Sequence, residues 1–307
     1  MSAHTLTAEA PRPAPLVDPL RVLDVAPWRK GAEQVGDVRL IPHSPVLGAR
    51  VEGFRVAHLA DAAVRQFLYD QLLNRGFLVF APGSFAAADF VEVVKLFGSP
   101  QYLGTPHTPK SQVNRAMNTI DSRTKKTRAN YIWHIDQAFQ PEPTRFTALY
   151  GEVVPEAGGD TIFANAAAAY DLLDPLLATY LETLTAIQSF DAQGFLTYAY
   201  GHDAELLARQ RAANPPIETP VIKTHPETGR KQIFVSELYT TRIVGVSPIA
   251  SQALLSLLFD VIKSPEIQTR FRWEEGAAVI WDNRLVQHRG VGDFGTQHRL
   301  LHRAVVA

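Results

Sequence analysis

A β core of two sheets with helices packed outside is the fold class this chain predicts, and three observations carry that expectation. Two helical patterns come early, around Val64 and around Phe90. From about Phe146 onward, short apolar runs are interrupted by helical insertions and the chain ends in strands, without the regular strand and helix alternation of a doubly wound α/β fold. The 307 residues contain no internal repeat and no linker strong enough to split them, and β-rich domains of this length commonly fold as one unit.

Taken in order, the chain opens with a segment that cannot pack. Pro11, Pro13, Pro15 and Pro19 stand too close together for helix or sheet, and few large apolar residues anchor them. Residues 1–38 are therefore expected to be an arm, disordered or loosely packed, ahead of a single domain at 39–307. Val46, Val51 and Phe54 around Gly48 and Gly53 predict a first strand or hairpin. Asp61 stands where a helix cap belongs, Val64, Phe67, Leu68 and Leu72 recur at helical spacing, and Gly76 fits just past the end. Phe77-Leu78-Val79-Phe80, closed by Pro82-Gly83, predicts a buried strand. Phe90, Val91, Val94 and Phe97 mark a second helix, stopped by Gly98 and Pro100.

Gln101 to Arg128 is polar and rich in turn residues. Its basic cluster, Lys125, Lys126 and Arg128, reads as a solvated loop face, although a mobile cover over a site would also suit that position. An apolar strand follows near Phe146 to Val154, and Gly158-Gly159-Asp160-Thr161 leads into Ile162-Phe163. Alanine content predicts helix over 164–187, with Asp171 and Asp174 near turns or caps. Residues 190–218 are less regular. Val221-Ile222-Lys223 and Gln232-Ile233-Phe234-Val235 predict a hairpin, and Ser247-Pro248 opens an amphipathic helix through Ile262. Two strands close the chain, Ala277 to Trp281 and His298 to Val306.

Composition narrows the function classes. Hydrophobic residues make up 46% and charged residues 20%, the balance of a protein with a sizeable core. Lys+Arg of 30 against Asp+Glu of 31 leaves no global field to recruit nucleic acid or an anionic membrane, so any anion must be recognised locally. The absence of cysteine excludes disulfides, thiolate metal sites and a cysteine nucleophile. No apolar run approaches the roughly 18 residues of a membrane span, and no basic-then-apolar leader is visible. A cytoplasmic enzyme without nucleic-acid or membrane partners, assembling as a homo-oligomer, is the expectation.

The chemistry centres on residues 130–136, Asn-Tyr-Ile-Trp-His-Ile-Asp. If that stretch is extended, His134 and Asp136 leave the same face and can converge on one ion. One nitrogen and one carboxylate are two-thirds of the 2-His-1-carboxylate set that holds ferrous iron with open positions. His288, after the apolar run ending at Trp281, can complete it. Arg299 and Arg303 share a strand face, and two buried guanidinium groups need anionic partners. No acidic residue lies between Phe294 and the C-terminus, so ligand carboxylates are the simplest partners.

At these residues the chain resembles the taurine/2-oxoglutarate dioxygenases, a branch of the iron(II)/2-oxoglutarate oxygenases that includes alkylsulfate and aryloxyalkanoate dioxygenases. The resemblance runs from about Val46 to the C-terminus and rests on WHID at 133–136, GGDT at 158–161, THPETGRK at 224–231, YTTRIV at 239–244, WDNRLVQH at 281–288 and HRLLHR at 298–303. It implies a double-stranded β-helix, or jelly roll, mainly β with flanking helices. It also implies Fe(II) on His134, Asp136 and His288, and 2-oxoglutarate held by Arg299 and Thr161, with O2 as the second cosubstrate. Arg303 would face the acidic group of a small anionic substrate, with Asn130, Phe190 and Tyr239 at pocket positions.

One departure bears on specificity. The histidine that helps hold the sulfonate in the taurine enzymes has no counterpart, because Tyr102 or Leu103 falls there, and Pro106 stands in place of a tyrosine. A sulfonate, sulfate ester or carboxylate with a larger apolar body is expected instead of taurine, to be hydroxylated with release of succinate and CO2. Two alternatives share the pattern: desaturation or oxidative decarboxylation of an amino-acid-derived acid, and a noncatalytic metal-binding jelly roll.

Overall fold

The apolar positions around Val51 become strands at one edge of a sheet, in a computed structural model that describes residues 33–101, 117–124 and 131–307. β1 (Gln34–Val35), β2 (Val38–Pro42) and β3 (Ala49–Glu52) pair antiparallel, so the sheet already begins at Gln34, within the stretch expected to be an arm. α1 (Ala62–Arg75) starts because the Asp61 carboxylate accepts the Ala63 and Val64 N–H groups, and it stops at Gly76, whose φ of 79° suits glycine. β4 (Phe77–Phe80) is buried throughout. α2 (Phe90–Val94) is extended at both ends by single 3-10 turns. β5 (Pro100–Gln101), β6 (Asn118–Asp121) and β7 (Phe146–Val153) follow.

The alanine-rich stretch departs from expectation. Residues 164–187, predicted helical, divide into the end of β8 (Thr161–Asn165), α3 (Ala166–Asp171), α4 (Pro175–Glu182) and the start of β9 (Thr185–Gln188). Asn165 caps α3 through its side-chain oxygen and Asp174 caps α4 with Pro175 at its first turn, so polar punctuation outweighs alanine propensity. The expected irregular region after Phe190 contains α5 (Phe195–Tyr200), α6 (Ala204–Ala213) and β10 (Ile217–Pro220). β11 (Ile222–Thr224) and β12 (Lys231–Ile233) form the expected hairpin. β13 (Thr240–Ile243) precedes α7 (Pro248–Ile262), which Ser247 caps. β14 (Gln268–Phe271), β15 (Ala278–Asp282), β16 (Val286–Gly290) and β17 (Leu300–Val306) close the chain.

A large sheet runs β1-β2-β3-β4-β15-β7-β17-β5, with β6 also on β17, and a smaller one runs β14-β8-β16. Between them lies a core of Phe77, Leu149, Val279, Trp281 and Leu301 from the large sheet and Phe163, Phe271 and Val286 from the small one. Two facing sheets, antiparallel except for the β3–β4 pair, are the jelly roll. α1 and α2 bury the outer face of the large sheet, while α3, α4 and α7 pack with the short sheets. β14 and β16 are absent from the expected elements because Gln-Thr-Arg-Phe and Val-Gln-His-Arg-Gly carry polar side chains in strands whose existence depends on pairing with β8. Among the described residues no helix is long and apolar enough to cross a membrane.

A buried charge network clamps the β11–β12 turn to the end of β15. The His225 Nδ1 accepts the Glu227 and Thr228 N–H groups, so its Nε2 carries the proton and donates to Asp282 Oδ2 at 3.0 Å. Arg284 grips both oxygens of the same carboxylate and reaches Glu227, which also accepts the Tyr69 hydroxyl. The His225 and Asp282 side chains are fully buried. Breaking such a pair leaves an unmatched charge, so Asp282→Ala is expected to cost about 3–5 kcal/mol in denaturant unfolding. Burial pushes the Asp282 carboxyl up, but the hydrogen bonds from His225 and Arg284 outweigh it and leave the pKa lowered. The unfolded chain then binds more protons near the ordinary value of about 3.9, so this stability is present above that pH and is lost as pH falls through and below it.

Candidate metal centre

His134 and His288 meet backbone to backbone. Their N–H and C=O groups exchange two hydrogen bonds of 3.0 Å in an isolated antiparallel bridge, and their rings stand 4.2 Å apart. Asp136 follows in a turn, with Gln137 at φ 56° behind it. The three side chains are buried, and each offers a ligand atom within 4.8 Å of the others. His134 Nε2 lies 3.8 Å from Asp136 Oδ1. The triad expected from the residue pattern is therefore assembled, with β16 and the His134 bridge supplying the placement.

Hydrogen bonding and burial set the protonation that a metal needs. His134 Nδ1 donates to the Ile132 carbonyl at 2.7 Å, which leaves the Nε2 lone pair free. Burial pushes both imidazoles down, His288 well below the usual histidine range, so both are neutral. Burial pushes Asp136 up, but Arg303, His288, His134 and the Thr147 hydroxyl together hold it well below the usual carboxylate range. The Nδ1 of His288 is buried with no hydrogen-bond partner among the described residues. Two neutral nitrogens and one ionised carboxylate fit ferrous iron with positions left open.

A cavity of about 210 Å³ opens from these ligands and has Thr161, Arg299 and Arg303 in its walls, so the residues expected to bind carboxylates do converge. Arg299 is the unsatisfied member. Its Nε is buried without a hydrogen-bond partner among the described residues, its guanidinium lies 5.8 Å from the Trp273 ring centre, and burial pushes its pKa down to about 10. Thr161 Oγ1 accepts the Trp273 indole N–H at 3.0 Å, which leaves the hydroxyl proton free for a ligand oxygen. Arg303 differs from expectation: instead of awaiting a ligand, its Nη2 pairs with Asp136 Oδ2 at 2.9 Å. That partner lies on a distant stretch of chain, so the lack of acids near the C-terminus did not reveal it.

Gly159 sets how closely the loop before β8 approaches Arg299. Its φ is +71°, and a Cβ there would stand 3.1 Å from Arg299 Cδ and 3.2 Å from Nε. Gly159→Ala is expected to cost about 1–2 kcal/mol in unfolding, from the left-handed backbone alone. Displacement of Arg299 should also raise the KM for 2-oxoglutarate in steady-state kinetics.

The remaining expected contacts are distributed differently. Phe190 and Tyr239 pack with Phe139 in an apolar cluster behind His134, with Tyr239 6.3 Å from the His134 ring, and they are not among the residues lining this cavity. Asn130, Tyr102 and Leu103, like Lys125, Lys126 and Arg128, lie outside the described residues. Sequence reasoning missed Asn118, which sits opposite Arg303 in the β6–β17 pair and lines the cavity. It also missed Thr147 and Asn283, whose hydrogen bonds hold Asp136. A hydroxyl inside the apolar run Phe146-Thr147-Ala148-Leu149 was the available signal, because a buried polar group requires a partner.

A jelly roll that buries two histidines and one aspartate beside an arginine whose Nε has no partner among the described residues fits the class of mononuclear iron oxygenases that use an acidic cosubstrate. The chain belongs to the taurine catabolism dioxygenase TauD/TfdA family, whose model matches residues 38–305. It is 34% identical over 271 residues to an alkylsulfatase of Acinetobacter baylyi, covering 85% of this chain and 82% of that one. It is 30% identical over 275 residues to the (S)-phenoxypropionate/alpha-ketoglutarate-dioxygenase of Sphingobium herbicidovorans, covering 87% and 94%. The crystal structure of a taurine dioxygenase from Burkholderia xenovorans superposes with a TM-score of 0.74 at 27% identity, over 88% of this chain and 89% of that one.

Proposed function

We propose that this dioxygenase hydroxylates a C–H bond of a small organic anion, a sulfate ester, sulfonate or carboxylate with an apolar body, while converting 2-oxoglutarate to succinate and CO2. The observation that carries the reading is Arg303 in the wall of the metal-site cavity, which Leu149, Leu301 and Phe294 also line. The relatives named above as acting on an alkyl sulfate and on phenoxypropionate handle anions of that description.

His134, Asp136 and His288 would hold iron(II), which would supply the oxidising chemistry for C–H cleavage with 2-oxoglutarate and dioxygen as cosubstrates. This chain's part is geometry. Arg299 would donate to the distal carboxylate of 2-oxoglutarate and the Thr161 hydroxyl would add a further donor, which would orient the keto acid end toward the metal ligands. A guanidinium has five donors, so Arg303 can keep Asp136 on Nη2 while presenting others to the substrate anion. The catalytic unit is read as one domain, in a cytoplasmic homo-oligomer, and light scattering on the purified protein tests the assembly.

Succinate release measured against a panel of alkyl sulfates, sulfonates and aryloxyalkanoates tests the substrate class. Stimulation by anions, absent with the matching neutral alcohols and lost in Arg303→Gln, is the expected result. A neutral compound turned over equally well by wild type and Arg303→Gln would overturn it.

A further inference from the structure

We propose that Thr147, set by Asn283 and Trp281, is the positioning residue that presents a single oxygen of Asp136 to the metal. A carboxylate has no intrinsic preference between its two oxygens, and the terminal torsion of aspartate is broad and roughly two-fold. Hydrogen bonds must therefore decide which oxygen faces the histidines. Asp136 Oδ2 receives the Thr147 hydroxyl at 2.7 Å and Arg303 Nη2 at 2.9 Å, while Oδ1 faces His134 Nε2.

The polarity of the chain behind Thr147 admits one arrangement. The Trp281 indole N–H can only donate, and it donates to Asn283 Oδ1 at 2.9 Å. Asn283 Nδ2 must then be the atom facing Thr147, and it donates to Thr147 Oγ1 at 2.9 Å. The Asp136 N–H, at 3.4 Å, also points at Asn283 Oδ1 and enforces the same amide orientation. With Asn283 donating to it, the Thr147 hydroxyl directs its own proton to Asp136. Thr147 is fully buried on β7, opposite Trp281 on β15, and Asn283 is anchored by its N–H to the Arg145 carbonyl.

The two donors on Oδ2 are not equivalent. Arg303 lies in the cavity wall, where an incoming anion can draw on it, whereas Thr147 is fully buried and does not line the cavity. Were Asp136 free to swing both oxygens onto the metal, it would occupy one of the positions that a chelating cosubstrate and dioxygen need. Thr147 thus acts through Asp136 and touches neither metal nor substrate.

The test uses the full chain and Mn(II). Thr147→Val keeps the shape and removes the hydroxyl. Calorimetric Mn(II) affinity is expected to fall about 10- to 100-fold, as for other partners of metal ligands, and 2-oxoglutarate binding to the Mn(II)-loaded protein should weaken as well. Thr147→Ser, which restores the hydroxyl, should recover both. A folded Thr147→Val protein with wild-type affinity for Mn(II) and 2-oxoglutarate would overturn the proposal, as would failure of Thr147→Ser to recover either. Should Thr147→Val not fold, Asn283→Ala frees the hydroxyl to rotate, and wild-type Mn(II) affinity in that variant would equally overturn it.

Discussion

Replacing His134 with alanine is expected to abolish iron-dependent succinate release while leaving the fold in place. The backbone bridge to His288 does not use the imidazole, so the sheet contact survives the substitution. What is lost is one of three donors. Since outer hydrogen-bond partners alone are typically worth 10- to 100-fold in metal affinity, loss of a direct ligand should cost more than about 100-fold. Anaerobic metal titration and a succinate assay measure both effects. Residual iron-dependent turnover in His134→Ala would remove His134 from the metal site, whereas a wild-type protein that releases no succinate with any acidic substrate would favour the noncatalytic metal-binding jelly roll.

Arg299→Gln has the second largest expected effect, and it carries a double signature. Truncating one partner of a buried, hydrogen-bonded charge pair costs about 2–5 kcal/mol, so the KM for 2-oxoglutarate should rise by at least about 30-fold. The free protein should lose no stability and should gain some, because in the absence of an anion Arg299 holds a charge in a site that burial disfavours. Steady-state kinetics and denaturant unfolding of the ligand-free protein separate the two effects. An unchanged KM would remove Arg299 from the cosubstrate site, and a large loss of stability would make it a structural residue.

Several elements were legible because their signals are local. Asp61 and Gly76 bracket α1, Ser247 and Pro248 open α7, and the four apolar residues of β4 announce a buried strand. β14 and β16 were not legible, since their polar side chains become strand residues only beside β8. The site divides along the same line. His134, Asp136, His288, Thr161 and Arg299 belong to patterns of residue type and spacing, whereas Thr147, Asn283 and Asn118 have roles set by neighbours far away in the chain. Arg303 lies between the two groups: its place in the cavity was legible and its pairing with Asp136 was not.

By itself the amino-acid sequence pointed to the three metal-donor side chains and to a two-sheet core, because side-chain chemistry and hydrophobic period are properties of the chain. Arg299 and Thr161 as carboxylate partners came from the resemblance of its motifs to a family. Only the tertiary structure decided that Arg299 Nε has no hydrogen-bond partner among the described residues, that Arg303 pairs with Asp136, and that Thr147, held by Asn283, bonds Asp136 Oδ2. Those decisions are hydrogen bonds across β7, β15, β17 and the turn at Asp136, and such bonds exist only once the sheets have closed around them.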